Sequence, residues 1–155
     1  MEQKQYRQQP ATIGNNSALG TGLPVGTILN HPCPDCGASM CLRNTKYGLR
    51  YLCCRFPTCK GSHGAHPSGH PLGVPADSYT KQKRIQAHHE LDSLWRGPQK
   101  EMNRTQAYKL MQELLGLSEQ EAHIGLFTAA QCVNLINKLR VRQRNKFKKL
   151  FPTCF

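Results

Sequence analysis

Two cysteine clusters carry the chemistry that this chain offers most plainly: Cys33-Pro34-Asp35-Cys36-Gly37 and, further on, Cys53-Cys54-Arg55-Phe56-Pro57-Thr58-Cys59-Lys60. Zinc favours soft thiolates at the corners of a tetrahedron, and two short Cys-turn-Cys knuckles reach one ion from opposite sides when a strand pair separates them. Between the clusters, Met40, Leu42, Leu49, Tyr51 and Leu52 give strand-like alternation around the turn Asn44-Thr45-Lys46-Tyr47-Gly48. Gly37 and Gly48 suit backbone positions that need positive φ. The expected unit is a zinc ribbon. Its ligands to one structural Zn2+ are Cys33, Cys36, Cys59 and one of the neighbours Cys53 and Cys54. A segment this short cannot bury enough apolar area to offset chain entropy, so the metal is expected to fold it.

Charge points to a partner. The formal net charge is +12, from 21 basic and 9 acidic residues in 155. Such an excess suits a polyanion, because each neutralised phosphate releases condensed counterions. No acidic residue occurs between Gly37 and Ala76, where Arg43, Lys46, Arg50, Arg55 and Lys60 lie. Acids are absent again from Ala122 to Phe155, where Lys138, Arg140, Arg142, Arg144, Lys146, Lys148 and Lys149 crowd one segment. Within the ribbon, Tyr47, Tyr51 and Phe56 alternate with those cations. Aromatic faces flanked by cations suit unpaired bases, each stack contributing roughly 1–3 kcal/mol. The competing expectation is that the cations offset a four-thiolate zinc site and that Tyr51 and Phe56 pack beneath it.

The elements that must position these groups fall into two modules. Residues 1–28 are rich in Gln, Gly, Asn, Ser and Thr without a period and are expected to be a disordered arm. The ribbon and a Gly/Pro/His-rich exit loop without periodicity occupy residues 29–75. A small helical module follows over residues 76–139, then a basic helical extension over residues 140–155. Asp77 or Ser78 is expected to cap a helix reaching Arg96, with Tyr79, Ile85, His88, Leu91 and Trp95 near one face. The spacing of Ala107, Leu110, Met111 and Leu114 predicts a second helix from Arg104 to Leu115, stopped by Gly116. Capping-box patterns at Ser118–Glu121 and Thr128–Gln131 open a short turn and a last helix, whose apolar face is Cys132, Val133, Ile136 and Leu139. The fold class is thus small α+β: a ribbon followed by three helices.

Two other chemistries are weighed. His63, His66 and His70 raise a metal-dependent nuclease, but their loop has no carboxylate, and Glu90 and Asp92 lie on or near the helix with His88 and His89. His123 is read as a buried histidine satisfied by a backbone carbonyl beside a small apolar Cys132, rather than as its partner in a ligand pair. No apolar stretch has the length of a membrane span, and the polar start of the chain is unlike a signal peptide. With eight cysteines in an expected reducing compartment, metal ligation is preferred to disulfides.

The stretch Cys33-Pro-x-Cys36-Gly-x-x-Met40, with Leu42-Arg43, Tyr47-Gly48 and Cys53-x-x-Phe56-Pro57-x-Cys59-Lys60, resembles the C-terminal zinc ribbons of bacterial type IA topoisomerases. That register puts Cys53 on the zinc and leaves Cys54 where those ribbons usually carry a serine. Over a longer span the ordered set is similar to a family of zinc-finger-containing proteins of uncharacterised function from bacteria and phages. The set comprises the ribbon, Pro71-Leu72-Gly73, Ala76-Asp77, Ala87-His88, Asp92, Leu94-Trp95, Arg104, Ala107-Tyr108, Glu121 to Phe127 and Cys132. The likeness runs from about His31 to Leu139 and departs in the second knuckle, where Cys53 to Cys59 is longer than the tight Cys-x-x-Cys expected. It implies a bacterial or phage setting, hence the cytoplasm, and no known reaction. The expected function is non-enzymatic, zinc-dependent binding of single-stranded or distorted DNA or RNA. The alternative is a regulatory factor docking on a host machine such as RNA polymerase, a topoisomerase or the ribosome.

Overall fold

A computed structural model describes residues 22–150; the arm expected before residue 22 and the last five residues of the basic extension lie outside the described residues. Strands β1 (Met40–Thr45), β2 (Gly48–Cys53) and β3 (Ser62–Gly64) form an antiparallel sheet in the order β1-β2-β3. In β1 and β2 alternation sets the faces. Met40 pairs with Cys53 and Leu42 with Tyr51 on the inner face, while Cys41 opposite Leu52 and Arg43 opposite Arg50 lie on the other. The turn between them has only Lys46 and Tyr47 outside the ladder. Gly48 takes φ 94°, and the Thr45 hydroxyl donates to the Gly48 carbonyl at 2.8 Å.

Two features of this half differ from expectation. Residues 61–74, read as a loop without periodicity, supply β3, which adds to the free edge of β2. A three-residue strand with a single buried side chain, His63, is too short for a period to show. Residues 22–28, expected within the arm, run beside β1. Gly26 N–H donates to the Leu42 carbonyl at 2.7 Å, Leu42 N–H to Thr27 at 2.8 Å, and Leu29 N–H to Met40 at 2.9 Å. The outer edge of β1 is therefore covered, which keeps it from pairing with other chains.

The second half contains α1 (Ser78–Asp92), α2 (Arg104–Leu115), a 3-10 turn (Ile124–Leu126) and α3 (Ala129–Leu150). Asp77 is the cap of α1, its carboxylate accepting from Thr80 N–H at 2.7 Å. Asn103 and Gln106 cap α2 reciprocally, and Gly116 closes it in the left-handed region at φ 64°. Thr128 and Gln131 form the expected box before α3. Ala87, Leu91, Leu94, Ala107, Met111, Ile124, Phe127, Cys132, Leu135, Ile136 and Leu139 build the apolar centre.

Helix α1 ends at Asp92 rather than Arg96 and presents a different face from the one expected. Ala87 and Leu91 are inside, whereas Tyr79, Ile85 and His88 are exposed. Its composition is polar on most sides, so contact with α3 selects the buried stripe. In α3 Leu135 takes the place expected for Val133, which is half-buried.

The two halves are joined by the Pro71-Leu72-Gly73 loop. Gly73, at φ +81°, abuts the Gly125 carbonyl so closely that a Cβ would overlap it. Arg84 from α1 donates to the carbonyls of Val74 at 2.6 Å and Phe127 at 2.9 Å, and Lys81 donates to Ser62 at 2.6 Å. His63 is buried at this joint with Nε2 lacking a partner.

Candidate metal centre and cationic surface

The knuckles bring Cys33, Cys36, Cys53 and Cys59 together, with all four sulfurs within 4.8 Å of one another. Cys36 Sγ lies 3.4 Å from Cys53 Sγ, and Cys33 Sγ lies 3.7 Å from Cys59 Sγ. At a Zn–S length of about 2.3 Å, tetrahedral sulfurs stand about 3.8 Å apart. The observed set is therefore the size of one zinc sphere. Local backbone fixes it: Cys33 N–H donates to the Ala38 carbonyl at 2.7 Å, closing the first knuckle, and Arg55 N–H points at Cys53 Sγ at 3.4 Å. Gly61 passes so close to Cys33 Sγ that a side chain there would strike it.

Electrostatics favour the same occupant. The Ala38 N–H, and then the Cys53 thiol, lower the Cys36 thiol to about 7. Although the Gly61 N–H works the other way, the neighbouring Cys36 sulfur and burial push Cys59 up to about 12. Four thiols this close cannot all ionise alone, because like charges at such distances suppress one another. A divalent cation removes that penalty, and the donor set fits Zn2+ in a closed, structural role.

Neighbouring Cys53 and Cys54 separate cleanly. Cys53 faces inward to the tetrad, and Cys54 faces outward, bonded to Cys41 with Cα atoms 6.2 Å apart. The outward pair follows from the ladder. Since Cys41 is opposite Leu52, Cys54 is its diagonal neighbour on the same face. Those two cysteines were not expected to pair. The register that reveals it depends on strand ends no spacing rule supplies.

The predicted nucleic-acid contacts divide by location. Tyr47 is 76% exposed at the hairpin tip with Lys46 Nζ 4.9 Å from its ring centroid, and Phe56 is 49% exposed on the second knuckle. Tyr51 is a correction: it is 1% exposed in the ribbon core, its hydroxyl donating to the Gly69 carbonyl at 2.8 Å. Its ring has no free face for a base, because a domain with little other core uses it as filling. Arg43 and Arg50 sit directly opposite each other, and no carboxylate among the described residues pairs with either. Arg55 and Lys60 line a cleft beside Cys36 and Cys59 that also takes in Asp35, Ser78 and Lys81. Lys81 was missed because it comes from α1, which only the tertiary fold brings to the knuckle.

The basic segment of α3 is less free than its composition suggests. Arg140 contacts Glu90 at 2.6 Å, and Arg142 and Lys146 both pair with Glu101, at 3.0 and 3.1 Å. Against partial burial, Lys146 and Arg142 hold the Glu101 carboxyl below its usual range. Lys138 donates to the Leu114 carbonyl at 2.6 Å. Arg144, Lys148 and Lys149 are exposed along the same helix. Of the histidines, His63 is buried while His66 and His70 are exposed; His123, expected to be buried, is exposed as well, just before the 3-10 turn. The cysteine tetrad is the one metal-sized cluster among the described residues.

No helix among the described residues is long and apolar enough to cross a membrane. No curated protein and no solved structure matches the chain. A family model described as a zinc-finger-containing domain matches residues 29–142, a span that takes in the cysteine tetrad, the joint and most of the three helices. That span is more than half of the chain, which therefore belongs to the family of zinc-finger-containing domains.

Proposed function

We propose that the protein binds nucleic acid without catalysing a reaction, using the zinc-held ribbon as its principal grip. The observation that carries this reading is the outer surface of the hairpin. Arg43 and Arg50 face each other across the strands without a carboxylate, and like charges placed so cost stability unless an anion relieves them. At either end of the same hairpin stands an exposed aromatic ring, Tyr47 at the tip and Phe56 at the knuckle. The six residues of β2 between them span about 20 Å. Two separate stacking points with cations between them suit an unpaired strand lying along the hairpin, with the backbone phosphates on the arginines. The exposed Arg144 and Lys149 of α3 supply a weaker second contact, since three of that helix's basic groups are already paired with carboxylates.

The test is binding of single- and double-stranded DNA and RNA oligonucleotides across a salt series. Affinity should fall steeply with salt and depend weakly on sequence. The double variant Arg43→Gln/Arg50→Gln should weaken binding roughly tenfold or more and lower the salt slope by about two, with zinc content unchanged. Unchanged affinity in that variant removes the hairpin as the grip. Bacterial or phage origin and a cytoplasmic setting accompany this reading as proposals.

A second reading, docking on a protein machine through the helical half, is favoured by Ile85 and Tyr79, 70% and 58% exposed on α1. Purification from the native cell separates the two. A docking factor keeps its protein partner after nuclease treatment and in moderately high salt, and a simple nucleic-acid binder does not.

A further inference from the structure

We propose that Cys41 and Cys54 are a reversible redox site on the outer face of the ribbon, separate from the zinc tetrad, whose oxidation tightens the ribbon's hold on its metal. Three observations converge on this pair. It is bonded across the strands, at a Cα separation of 6.2 Å that lies within the range of disulfides. It is accessible: Cys54 is exposed and Cys41 half-buried, whereas Cys132 is enclosed in the helical core and the other four described cysteines face one another in the tetrad. Finally, it adjoins the metal centre through the backbone, because Cys53 and Cys54 are consecutive residues pointing to opposite sides of the sheet. The Cys54 N–H, donating to the Ser39 carbonyl at 2.9 Å, holds that residue in register.

The reaction is thiol–disulfide exchange with a small-molecule disulfide such as oxidised glutathione. One thiolate attacks the disulfide and releases one small thiol. The second thiolate then attacks the mixed disulfide, forming the Cys41–Cys54 bond and releasing another. Two protein thiols lose two electrons and two protons, and one disulfide is reduced to two thiols. Arg43 and Arg50 lie on the same face of the strands as this pair, which suits an anionic disulfide.

Oxidation matters to the metal because of what the cross-link encloses. The bond joins positions 13 apart and encloses the β1–β2 hairpin from Cys41 onward together with the ligand Cys53. In the metal-free chain it restricts that hairpin close to its native register, so zinc has less disorder to remove when it binds. Closing a loop of this length corresponds to on the order of ten- to a hundredfold in affinity. In a reducing compartment the pair rests as a dithiol and the metal is held less tightly.

The experiment uses the full-length zinc-loaded protein, equilibrated in glutathione buffers from reducing to oxidising. Free thiols are trapped by alkylation, linkages are mapped by peptide mass spectrometry, and zinc affinity is measured by competition with a chromogenic chelator. The expected result is a Cys41–Cys54 linkage formed with zinc retained, and a zinc Kd roughly ten- to a hundredfold lower in the oxidised form. The variant Cys41→Ser/Cys54→Ser should keep the weaker value in both buffers. The proposal is overturned if both thiols stay alkylatable in excess oxidised glutathione, if oxidation links tetrad cysteines and expels zinc, or if the two redox forms bind zinc equally. Comparison of the two wild-type forms decides the matter even where the variant fails to fold.

Discussion

The two halves of the molecule are held together by different means. In the ribbon the buried apolar residues are Leu29, Cys33, Met40, Leu42, Tyr51 and Cys53, and two of these six are metal-facing thiols. The helical half buries twelve residues in one continuous cluster, Phe127, Met111, Leu91 and Leu135 among them. Apolar burial contributes about 25 cal/mol per Å2, so the second cluster sustains a fold while the first leaves most of the ordering entropy of its turns to be offset by zinc. A region that is rigid only while metal is bound can be small, highly cationic and almost free of acids. A region held by its own core must instead reserve its helix faces for packing.

The largest test of that contrast is metal removal. Chelation, or Cys59→Ser, should unfold the ribbon while α1, α2 and α3 persist, because structural zinc sites contribute on the order of 10–16 kcal/mol to small domains. Hydrogen exchange would show protection lost from residues 26–64 and retained in α3, with little change in helical circular dichroism. Equal loss in both halves would mean that they share one cooperative core. The converse substitution is Leu135→Ala, which empties a fully buried position in the helical half. It should lower stability by about 2–5 kcal/mol in denaturant titrations while the protein still binds one zinc. Loss of stoichiometric metal in that variant would defeat the separation.

Two further tests sharpen the boundary where the halves meet. Burial lowers the His63 imidazole from 6.5 to about 4 despite the Gly73 carbonyl, with Arg84 and Lys81 adding in the same direction and His31 the remaining titratable neighbour. A folded-state value below the unfolded one means that the neutral ring stabilises the fold above pH 6.5, and that this contribution is lost as pH falls towards 4. Unfolding free energies compared between pH 7 and pH 5 should decline in the native protein, and His63→Asn, which keeps a donor towards Gly73, should flatten the decline. An identical slope in the two proteins would assign the pH dependence to other groups, the thiolates and the His88 imidazole that burial also lowers among them. The other test at this boundary is Gly73→Ala. Positive φ by itself costs about 1–3 kcal/mol, and overlap with the facing Gly125 carbonyl adds to it, read as a lower melting temperature with helix content and zinc stoichiometry unchanged.

The parts of the molecule visible in the sequence are those governed by short-range rules. Asp77, Gly116 and the Thr128–Gln131 box mark helix ends because their side chains or φ angles satisfy backbone groups within four residues. The tetrad was equally legible, since ligand spacing in each knuckle is a local constraint and the resemblance chose Cys53 over Cys54. The buried face of α1 was not, because its sequence has no clear apolar stripe and α3 determines which side is covered. Nor was β3, which borrows its definition from the edge of β2. Tyr51 illustrates the same limit at a single residue: an aromatic among cations reads as a stacking platform until the strand pleat turns it inward.

From sequence alone came the metal's donor set, the helix boundaries that have caps, and the excess of positive charge. All depend on contacts between near neighbours or on composition. Only the tertiary structure decided that Tyr51 is core, that Arg43 confronts Arg50, that Arg140, Arg142 and Lys146 are taken up by Glu90 and Glu101, and that Cys54 turns from the metal to Cys41. Each of those outcomes depends on register or on approach between distant segments, where side-chain direction is set by what packs against the element rather than by the residues beside it in the chain.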